Sequence, residues 1–393
     1  MTKNNEHKNL NVPALRFTEF TGEWEIVSLK DIAVVNPKSE PLLNKFFYID
    51  LESVEKGELK KIQEILQEEA PSRAQRVISN NDILFQCVRP YQKNNYIHRV
   101  KNTSNIQWIA STGYAQIRTT ESPNYIYHLL NTDGFNRKVM VRCTGSSYPA
   151  INSEDLSAIR FYLSTDKKEQ CKIARLLDLL DERISTQNKI IEKLESLIKG
   201  IYSSILWKDY RLVSLSEIFI ERNERTTTNN QYQVLSSTAK GLYRQSDYFD
   251  KEVASANNVG YKVLRLGDIV LSPQNLWLGN INYNDAFKIG IVSPSYKVFS
   301  IREGYNPYYV SCFLKTPKAL YEYANASEQG ASVVRRNLDV NAFMAICFPM
   351  PNRIMQDRIS ERVRAINMKL DIEKQVFEKL NIEKQYLLRQ LFI

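Results

Sequence analysis

The chain has 393 residues, of which 43% are hydrophobic and 25% charged, and its formal net charge is +9. This length is sufficient for two or three domains with hydrophobic cores, and the positive charge suits an anionic partner without identifying it. The five cysteines are scattered and none forms a C-x-x-C pair, which excludes a disulfide framework and a cysteine zinc site.

The first part of the chain predicts a mixed module in which strands dominate. It begins with a polar arm, followed by the segment WEIVSLKDI at residues 24–32. Short β-rich runs bounded by Gly, Asn, Pro and Ser follow at residues 46–54, 82–88 and 114–119. The charged stretch 55–70 is interpreted as a surface hairpin and helix, and a helix with a proline near its start is predicted at residues 122–132.

Residues 170–206 have apolar side chains at alternating steps of four and three. This heptad pattern indicates a helix that buries a narrow seam against another long helix. No proline interrupts the stretch, so it should extend about 55 Å at about 1.5 Å per residue. The predicted seam consists of Ile173, Leu177, Leu180, Ile184, Gln187, Ile191 and Leu194, with Gln187 as its polar interruption. We expect the adjacent carboxylates Asp181 and Glu182 to lie on the solvated face.

The second half of the chain repeats the first. The segment YRLVSLSEI begins 186 residues after WEIVSLKDI and shares its Val, Ser, Leu and final Ile. Other matches follow in the same order, with a drift of a few residues: Asp82 with Asp268, Gly145 with Gly330, Gln170 with Gln356, and Leu194 with Leu380. An ordered set of this kind indicates a tandem duplication, in which each half is a globular module followed by a long helix.

A second heptad helix is therefore predicted at residues 354–391. Its seam consists of Ile359, Val363, Ile366, Leu370, Glu373, Phe377 and Leu380. Lys384 replaces the apolar residue expected at the next position of this seam. We expect the two helices to pair as an antiparallel coiled coil, with Gln187 and Glu373 meeting near the middle to set the register. The alternative is that each helix forms a separate coiled coil with another chain.

The predicted fold class is α+β. It consists of two tandem mixed α/β modules, strand-rich, each followed by a long helix, with the helices pairing antiparallel in a pseudo-twofold arrangement. The predicted domains are a first module at 1–165, a central helix at 166–206, a second module at 207–351 and a C-terminal helix at 352–393.

Polar and aromatic loops occupy equivalent places in both modules. They follow the matched strands DILF and DIVL and the matched glycines. Arg, Lys, Asn and Gln side chains bind base edges or phosphates, and the frame recurs while these loops differ, as two recognition specificities would require. The candidate DNA-binding residues are Arg89, Tyr91, Lys93, Asn94, Asn95, Ser146, Ser147, Tyr148, Lys240, Arg244, Gln274, Asn275, Trp277, Arg335, Arg336 and Asn337.

Signatures of catalysis are absent from the sequence. No two glycines lie close enough for G-x-G-x-x-G or a P-loop, and the three histidines form neither a Ser-His-Asp arrangement nor H-E-x-x-H. We therefore predict no catalytic residue, no metal site and no cofactor. The alternatives are a stand-alone DNA-modifying enzyme and a coiled-coil adaptor that binds proteins. The polar N-terminus and the lack of about eighteen consecutive apolar residues predict no signal peptide and no membrane span.

The chain resembles the specificity subunits of bacterial type I restriction-modification systems. The resemblance is in NVPALRFTEFTGEWEIVSLKDI near the start, TGSSYPAIN before the central helix, and the duplicated module and helix. It implies that each module is a target recognition domain for one half of a split sequence in double-stranded DNA, and that the helices are spacers and docking surfaces.

The resemblance also implies the partners. Two methyltransferase subunits would bind S-adenosylmethionine, and restriction subunits would use ATP and Mg²⁺, while this chain would be a non-catalytic reader. Such a protein is expected in the bacterial cytoplasm, associated with the nucleoid.

Overall fold

Each of the two heptad segments forms one continuous helix in the computed structural model, which describes residues 11–100, 106–206, 208–248, 257–329 and 336–393. The chain forms two compact units. The first contains the residues up to Lys189 together with Gln375–Ile393, and the second contains Ile190–Lys374. Each unit thus includes a globular module and one part of both long helices. The predicted domain boundaries, which separate modules from helices, stay a prediction.

The described residues before the second module form these elements. The strands are β1 Glu25–Ser28, β2 Ala33–Val35, β3 Lys45–Ile49, β4 Val54–Glu55, β5 Glu58–Leu59, β6 Gln63–Leu66, β7 Ala74–Ile78, β8 Ile83–Gln86, β9 Tyr96–Ile97, β10 Gln107–Ser111, β11 Tyr114–Thr119 and β12 Arg160–Leu163. The helices are α1 Leu29–Ile32, α2 Pro123–Leu130, α3 Asp133–Met140, α4 Ser153–Ser157 and α5 Lys167–Leu206.

The described residues from the second module onward form a similar series of elements. The strands are β13 Leu212–Ser214, β14 Phe219–Glu221, β15 Leu235–Thr238, β16 Gly241–Arg244, β17 Lys262–Arg265, β18 Ile269–Leu271, β19 Ile281–Tyr283, β20 Ile289–Val292, β21 Lys297–Ile301, β22 Ser327–Gln329, β23 Arg336–Leu338 and β24 Cys347–Pro349. The helices are α6 Leu215–Ile218, α7 Gln245–Tyr248, α8 Pro307–Ser311, α9 Pro317–Asn325, α10 Val340–Ala345 and α11 Arg353–Gln390. Short 3₁₀ turns lie at Gln67–Glu69, Pro90–Gln92 and Pro273–Leu278.

The repeated segments of the sequence form the same structure in both units. WEIVSLKDI and YRLVSLSEI each give a strand and one helical turn, in which Ser28 and Asp31, or Ser214 and Glu217, form a capping box. The strand pairs antiparallel with the strand before the long helix, β1 with β12 and β13 with β24. The sheet order β2-β11-β8-β9 recurs as β14-β21-β18-β19. The duplication is thus a structural repeat.

The other sheet of each module is less similar. In the first unit β6-β3-β10-β7 forms one four-stranded sheet with β3 parallel to β10. In the second unit the strands form two pairs, β15 with β16 and β17 with β20. The charged stretch 55–70 gives the β4–β5 hairpin, strand β6 and a 3₁₀ turn at Gln67–Glu69, so the predicted helix is wrong there. Residues Gln63–Leu66 pair antiparallel with β3, and this strand pairing prevails over helix propensity.

Within the first unit the two long helices run antiparallel. Ile173 and Leu177 near the start of α5 share a buried cluster with Leu388 and Leu391 at the end of the chain. Further along, Asp181 binds Lys384 at 2.5 Å. Asp181 therefore does not lie on the solvated face, and Lys384 has an ionic partner at its half-buried position.

Within the second unit the helix segments also run antiparallel. Ile205 lies in a buried cluster against which Ile359 packs, and Glu195 binds Lys374 at 2.8 Å. Every predicted seam residue of both helices is buried or half-buried, as a heptad seam requires. The predicted fold class, with paired long helices and strand-rich modules, is confirmed. Gln187 and Glu373 are both buried but lie in different units, so their contact stays a prediction.

Candidate nucleic-acid interface

Two loops of the first unit lie side by side and form a continuous polar surface. One is the loop after β8, residues 87–95, and the other is the glycine loop, residues 143–150. The Arg89 amide donates to the Pro149 carbonyl at 2.8 Å and the Ile151 amide donates to the Cys87 carbonyl at 3.1 Å. We call these two loops the first loop pair. The sequence placed candidates on both segments, and the fold brings them together.

The glycine in this loop pair is required by the backbone. Gly145 has φ +88°, and a Cβ there would lie 3.0 Å from the Tyr148 carbonyl oxygen. Another residue would be strained by both the dihedral angle and the contact. The tight turn exposes Ser146, Ser147 and Tyr148, so all three predicted residues of the loop are accessible to a ligand.

Arg89 is the cation at the centre of the first loop pair. Its guanidinium carbon lies 4.5 Å from the centre of the Tyr148 ring, close enough for a cation–π interaction. The backbone of Arg89 has φ +55°, which is uncommon for a residue other than glycine. Tyr91, two residues further on, is 51% exposed. The half-buried Arg89 and the exposed Tyr91 and Tyr148 thus form a polar and aromatic surface.

Three other candidates of the same loop have structural partners. Lys93 Nζ binds Asp133 at 2.6 Å and the Asn131 carbonyl at 3.2 Å. Asn94 Oδ1 accepts from the Lys56 amide. Asn95 is 2% exposed and its side chain accepts from the Gln86 amide at 2.8 Å. These residues hold the loop rather than present donors to a ligand.

Gln86, which the sequence reasoning missed, organises this loop. It is 2% exposed, and its Nε2 donates to the Val88 carbonyl at 2.8 Å and to Gln92 Oε1 at 2.9 Å. The signal in the sequence for this role is the position of Gln86, a polar residue directly after the apolar strand segment DILF. The next residue is Cys87, and burial raises the pKa of its thiol to about 11. This cysteine therefore remains neutral and is not a nucleophile at neutral pH.

The second unit has a related surface built from the same two segments of the repeat. The loop after β18 forms the 3₁₀ turn Pro273–Leu278, and β23 lies beside it. The guanidinium carbon of Arg336 lies 4.4 Å from the centre of the Trp277 ring. Arg336 also donates from Nη1 to the Ala324 carbonyl at 3.3 Å. We call these segments, residues 273–278 and 336–338, the second loop pair.

The remaining candidates of the second unit are accessible to different degrees. Gln274 and Asn337 are exposed and Asn275 is half-buried. Arg335 lies outside the described residues. Lys240 and Arg244 are exposed on the β15–β16 hairpin, which is a different element from the second loop pair.

Behind the start of each matched strand, a buried aspartate binds an arginine. Asp82 accepts two hydrogen bonds from Arg118, at 2.8 and 2.7 Å, and this pairing raises the pKa of Arg118. Asp268 accepts two from Arg222, at 2.9 and 3.2 Å, although burial of Asp268 raises its pKa. Two-fold arginine–carboxylate contacts of this kind are geometrically specific, so they fix the strands from which the loops begin.

A cavity of about 580 Å³ lies in the second unit. Trp277 and Arg336 are not among the residues that line it. Its walls include Tyr202, Lys240, Asn282, Tyr308, Lys315 and Asn367. Lys315 donates to Asn282 Oδ1 at 2.7 Å and to the Ala239 carbonyl at 3.0 Å, and burial lowers its pKa. These partners account for the position of Lys315 without a ligand.

The part of the chain that the structure describes has neither a metal-binding cluster nor a helix suited to a membrane. Within those ranges, no three His, Cys, Asp or Glu side chains are grouped so that they could bind a metal ion. In the same part of the chain, no helix combines the length and the apolar character that crossing a membrane requires.

Comparisons with known proteins agree with this architecture. Residues 21–196 match the family model described as the type I restriction modification DNA specificity domain. The HindI specificity subunit of a type I restriction enzyme from Haemophilus influenzae is 23% identical over 170 residues, which are 42% of this chain and 33% of that protein. The matched part is thus about a third of that relative's length.

Two solved structures share the fold over nearly the whole chain. The S subunit of a type I restriction-modification system from M. genitalium has a TM-score of 0.61 at 15% identity, covering 97% of this chain and 99% of its own. A chain from a study of complex assembly and conformational transition of the type I R-M system has a TM-score of 0.53 at 19% identity, covering 94% and 97%. Residues 21–196 are thus similar to the type I restriction modification DNA specificity domain, and the chain shares the fold of these two solved structures.

Proposed function

We propose that this chain is the DNA-reading subunit of a type I restriction-modification complex. The observation that supports this most directly is the pairing of a repeated frame with divergent loops. Both units use the same sheet order and a buried aspartate at the same position that binds an arginine, yet the loop after this strand has Arg89 and Tyr91 in one unit and Gln274 and Trp277 in the other. Two readers on one frame suit a split target whose halves have different sequences.

The chemistry of the two loop pairs suits duplex DNA. Arginine and glutamine make two-fold hydrogen bonds to guanine and adenine edges in the major groove, and serine hydroxyls bind phosphates. The net charge of +9 favours association with a polyanion. In this proposal each loop pair binds one half-site, and neither performs a reaction.

The long helices are proposed to join the two readers and to provide the docking surface for two methyltransferase subunits. Two linked readers gain affinity only when their spacing matches that of the half-sites. S-adenosylmethionine would be bound by the methyltransferase subunits, and ATP and Mg²⁺ by restriction subunits. The chain itself would supply sequence recognition only.

The test is a map of adenine methylation in a methylation-deficient bacterial host that expresses this chain with its partner methyltransferase. The expected result is methylation at one split motif, and none when either gene is omitted. Replacing residues 207–351 by those of a relative should change one half of the motif and leave the other. Methylation by the chain alone would instead establish an enzyme, and the lack of any motif with both proteins present would favour a protein adaptor.

A further inference from the structure

Arg89 differs from the other cations of the two loop pairs because no described group accepts from its guanidinium. The first loop pair contains only two cationic residues, Arg89 and Lys93. Lys93 is neutralised by Asp133 at 2.6 Å. In the second loop pair, Arg336 donates to the Ala324 carbonyl. Within the described residues of these loops, Arg89 therefore has the guanidinium that is available to a ligand.

The position of this guanidinium is set before any ligand binds. Arg89 N donates to the Pro149 carbonyl at 2.8 Å, and its φ of +55° is maintained by the turn that follows. The Tyr148 ring supports the side chain at 4.5 Å, and Tyr148 is itself 62% exposed. A fixed backbone and a stacked side chain reduce the conformational entropy that binding would otherwise cost.

The chemistry of a stacked arginine favours a base edge over a phosphate. A guanidinium held over a ring by its face keeps its in-plane N–H donors free, and two parallel donors match the O6 and N7 acceptors of guanine. A phosphate can be bound by a lysine, which acts as a point charge. Lys93, the one lysine of the first loop pair, is bound to Asp133. The cation that remains for a ligand is therefore Arg89, whose planar guanidinium is selective for a guanine edge.

We propose that Arg89 reads a guanine in the major groove and specifies that base in the half-site bound by the first unit. This inference rests on the proposed function, and it assigns to one residue the specificity for one base pair. Tyr148 acts as a positioning residue, because it contacts Arg89 and holds its guanidinium in place.

The experiment compares Arg89→Ala and Arg89→Lys with wild type in the complete methyltransferase complex, by methylation mapping. The matched control is Lys38→Ala, which removes one charge from an exposed residue of the first unit outside both loops. Both Arg89 variants should lose discrimination at one guanine position by about 5- to 150-fold, the value of one two-fold base contact. The other half-site and the control should keep the wild-type motif.

A second measurement has its main result from the wild-type complex. The wild-type complex is titrated with duplexes in which single guanines of the motif are replaced by 7-deazaguanine, which lacks the N7 acceptor. One position in one half-site should lose affinity by about 5-fold or more, and the Arg89→Ala complex should not distinguish the two duplexes.

Three results would overturn the inference while leaving the proposed function intact. These are a motif without guanine in the affected half-site, an Arg89→Lys variant with the wild-type motif, and an Arg89→Ala variant that methylates the unchanged motif more slowly. The last two would indicate a phosphate contact. A wild-type complex with no motif at all would instead refute the proposed function.

Discussion

A buried glutamine near the start of each long helix makes the same backbone hydrogen bonds in the two units. The helix position eight residues later makes different contacts in the two units. Gln170 Nε2 donates to the Ser164 carbonyl at 2.7 Å and its Oε1 accepts from the Ser122 amide at 3.2 Å. Gln356 makes the same contacts with the Pro351 carbonyl and the Asn306 amide, both at 2.8 Å. Eight residues further along, one helix has Asp178 and the other has Arg364.

In the first unit Asp178 is the centre of a buried polar cluster. It is 7% exposed and accepts from Arg99 Nη2 at 2.9 Å, from Asn124 Nδ2 at 2.6 Å and is 2.9 Å from His128 Nε2. Burial opposes ionisation of Asp178, but the bonds from His128 and Arg99 prevail, so its pKa is lowered. The module is thereby tied to α5 through charge.

In the second unit the matched helix position makes a different contact. Arg364 is exposed and its guanidinium carbon lies 4.5 Å from the centre of the Tyr308 ring. Tyr308 and Cys312, which follow the matched helix start, line the cavity of about 580 Å³. The two long helices thus share the glutamine contacts that orient them, but the contacts that fill the space beside each helix differ. The two loop pairs differ in a similar way, because the arginine and the aromatic residue lie on opposite segments of the pair.

The largest expected difference follows from this comparison. Asp178→Ala should lower the free energy of unfolding by about 3 to 5 kcal/mol, because it leaves the buried His128 and the half-buried Asn124 without their acceptor and breaks the ion pair with Arg99. Arg364→Ala should cost about 0.5 to 1 kcal/mol, the value of an exposed cation–π contact. Urea titrations followed by circular dichroism measure both. Equal losses would show that the two helix positions are energetically equivalent and that the contrast is superficial.

A smaller difference concerns the residue that follows β9 or β19. His98 and Asn284 occupy the same backbone position, each donating its amide to the matched aspartate carbonyl, Asp82 or Asp268. Asn284 has side-chain partners in the Arg265 and Phe287 carbonyls. Neither ring nitrogen of His98 has one among the described residues, and burial lowers the His98 pKa to about 4.

The pH dependence of stability tests this contrast. An unfolded histidine has a pKa of about 6.5, so between pH 6.5 and 4 the unfolded chain binds a proton that folded His98 does not. Stability should therefore fall as the pH falls through this window, by up to about 3 kcal/mol. His98→Asn, which copies the second unit, should reduce this loss, measured as the difference between urea titrations at pH 7 and pH 4. An unchanged loss would show that His98 is protonated in the folded chain.

The elements of the fold were predictable because their signals are local or repeated. The heptads fix the length of both long helices to within three residues at each end, and the repeat in the sequence makes Gln170 and Gln356 equivalent. The helix predicted within residues 55–70 was wrong because strand pairing depends on a neighbour that the local sequence does not reveal.

The site was predictable only in part, for a related reason. Loop position and residue type identified Arg89 and Tyr148, but they could not separate these from Lys93 and Asn95, whose partners lie on α3 and at the end of α2. The Asp178 cluster was also missed, since Arg99 and His128 are far from Asp178 in sequence and no periodicity links them. Contacts between distant charged residues have no local signature.

The smallest expected effect tests the shared part of the frame. Gln170→Leu and Gln356→Leu each leave a buried backbone amide and carbonyl without a partner, so each should lower the free energy of unfolding by about 1 to 3 kcal/mol. Because the glutamines lie in different units and share no partner, the double variant should show the sum of the two losses. Urea titration of the three variants measures this, with Gln75→Leu, an exposed glutamine of the first unit, as the control for the loss of an amide. A large loss at one glutamine and none at the other would mean that the same hydrogen bonds support only one unit, and that the duplicated frame has diverged in energy even where its geometry is the same.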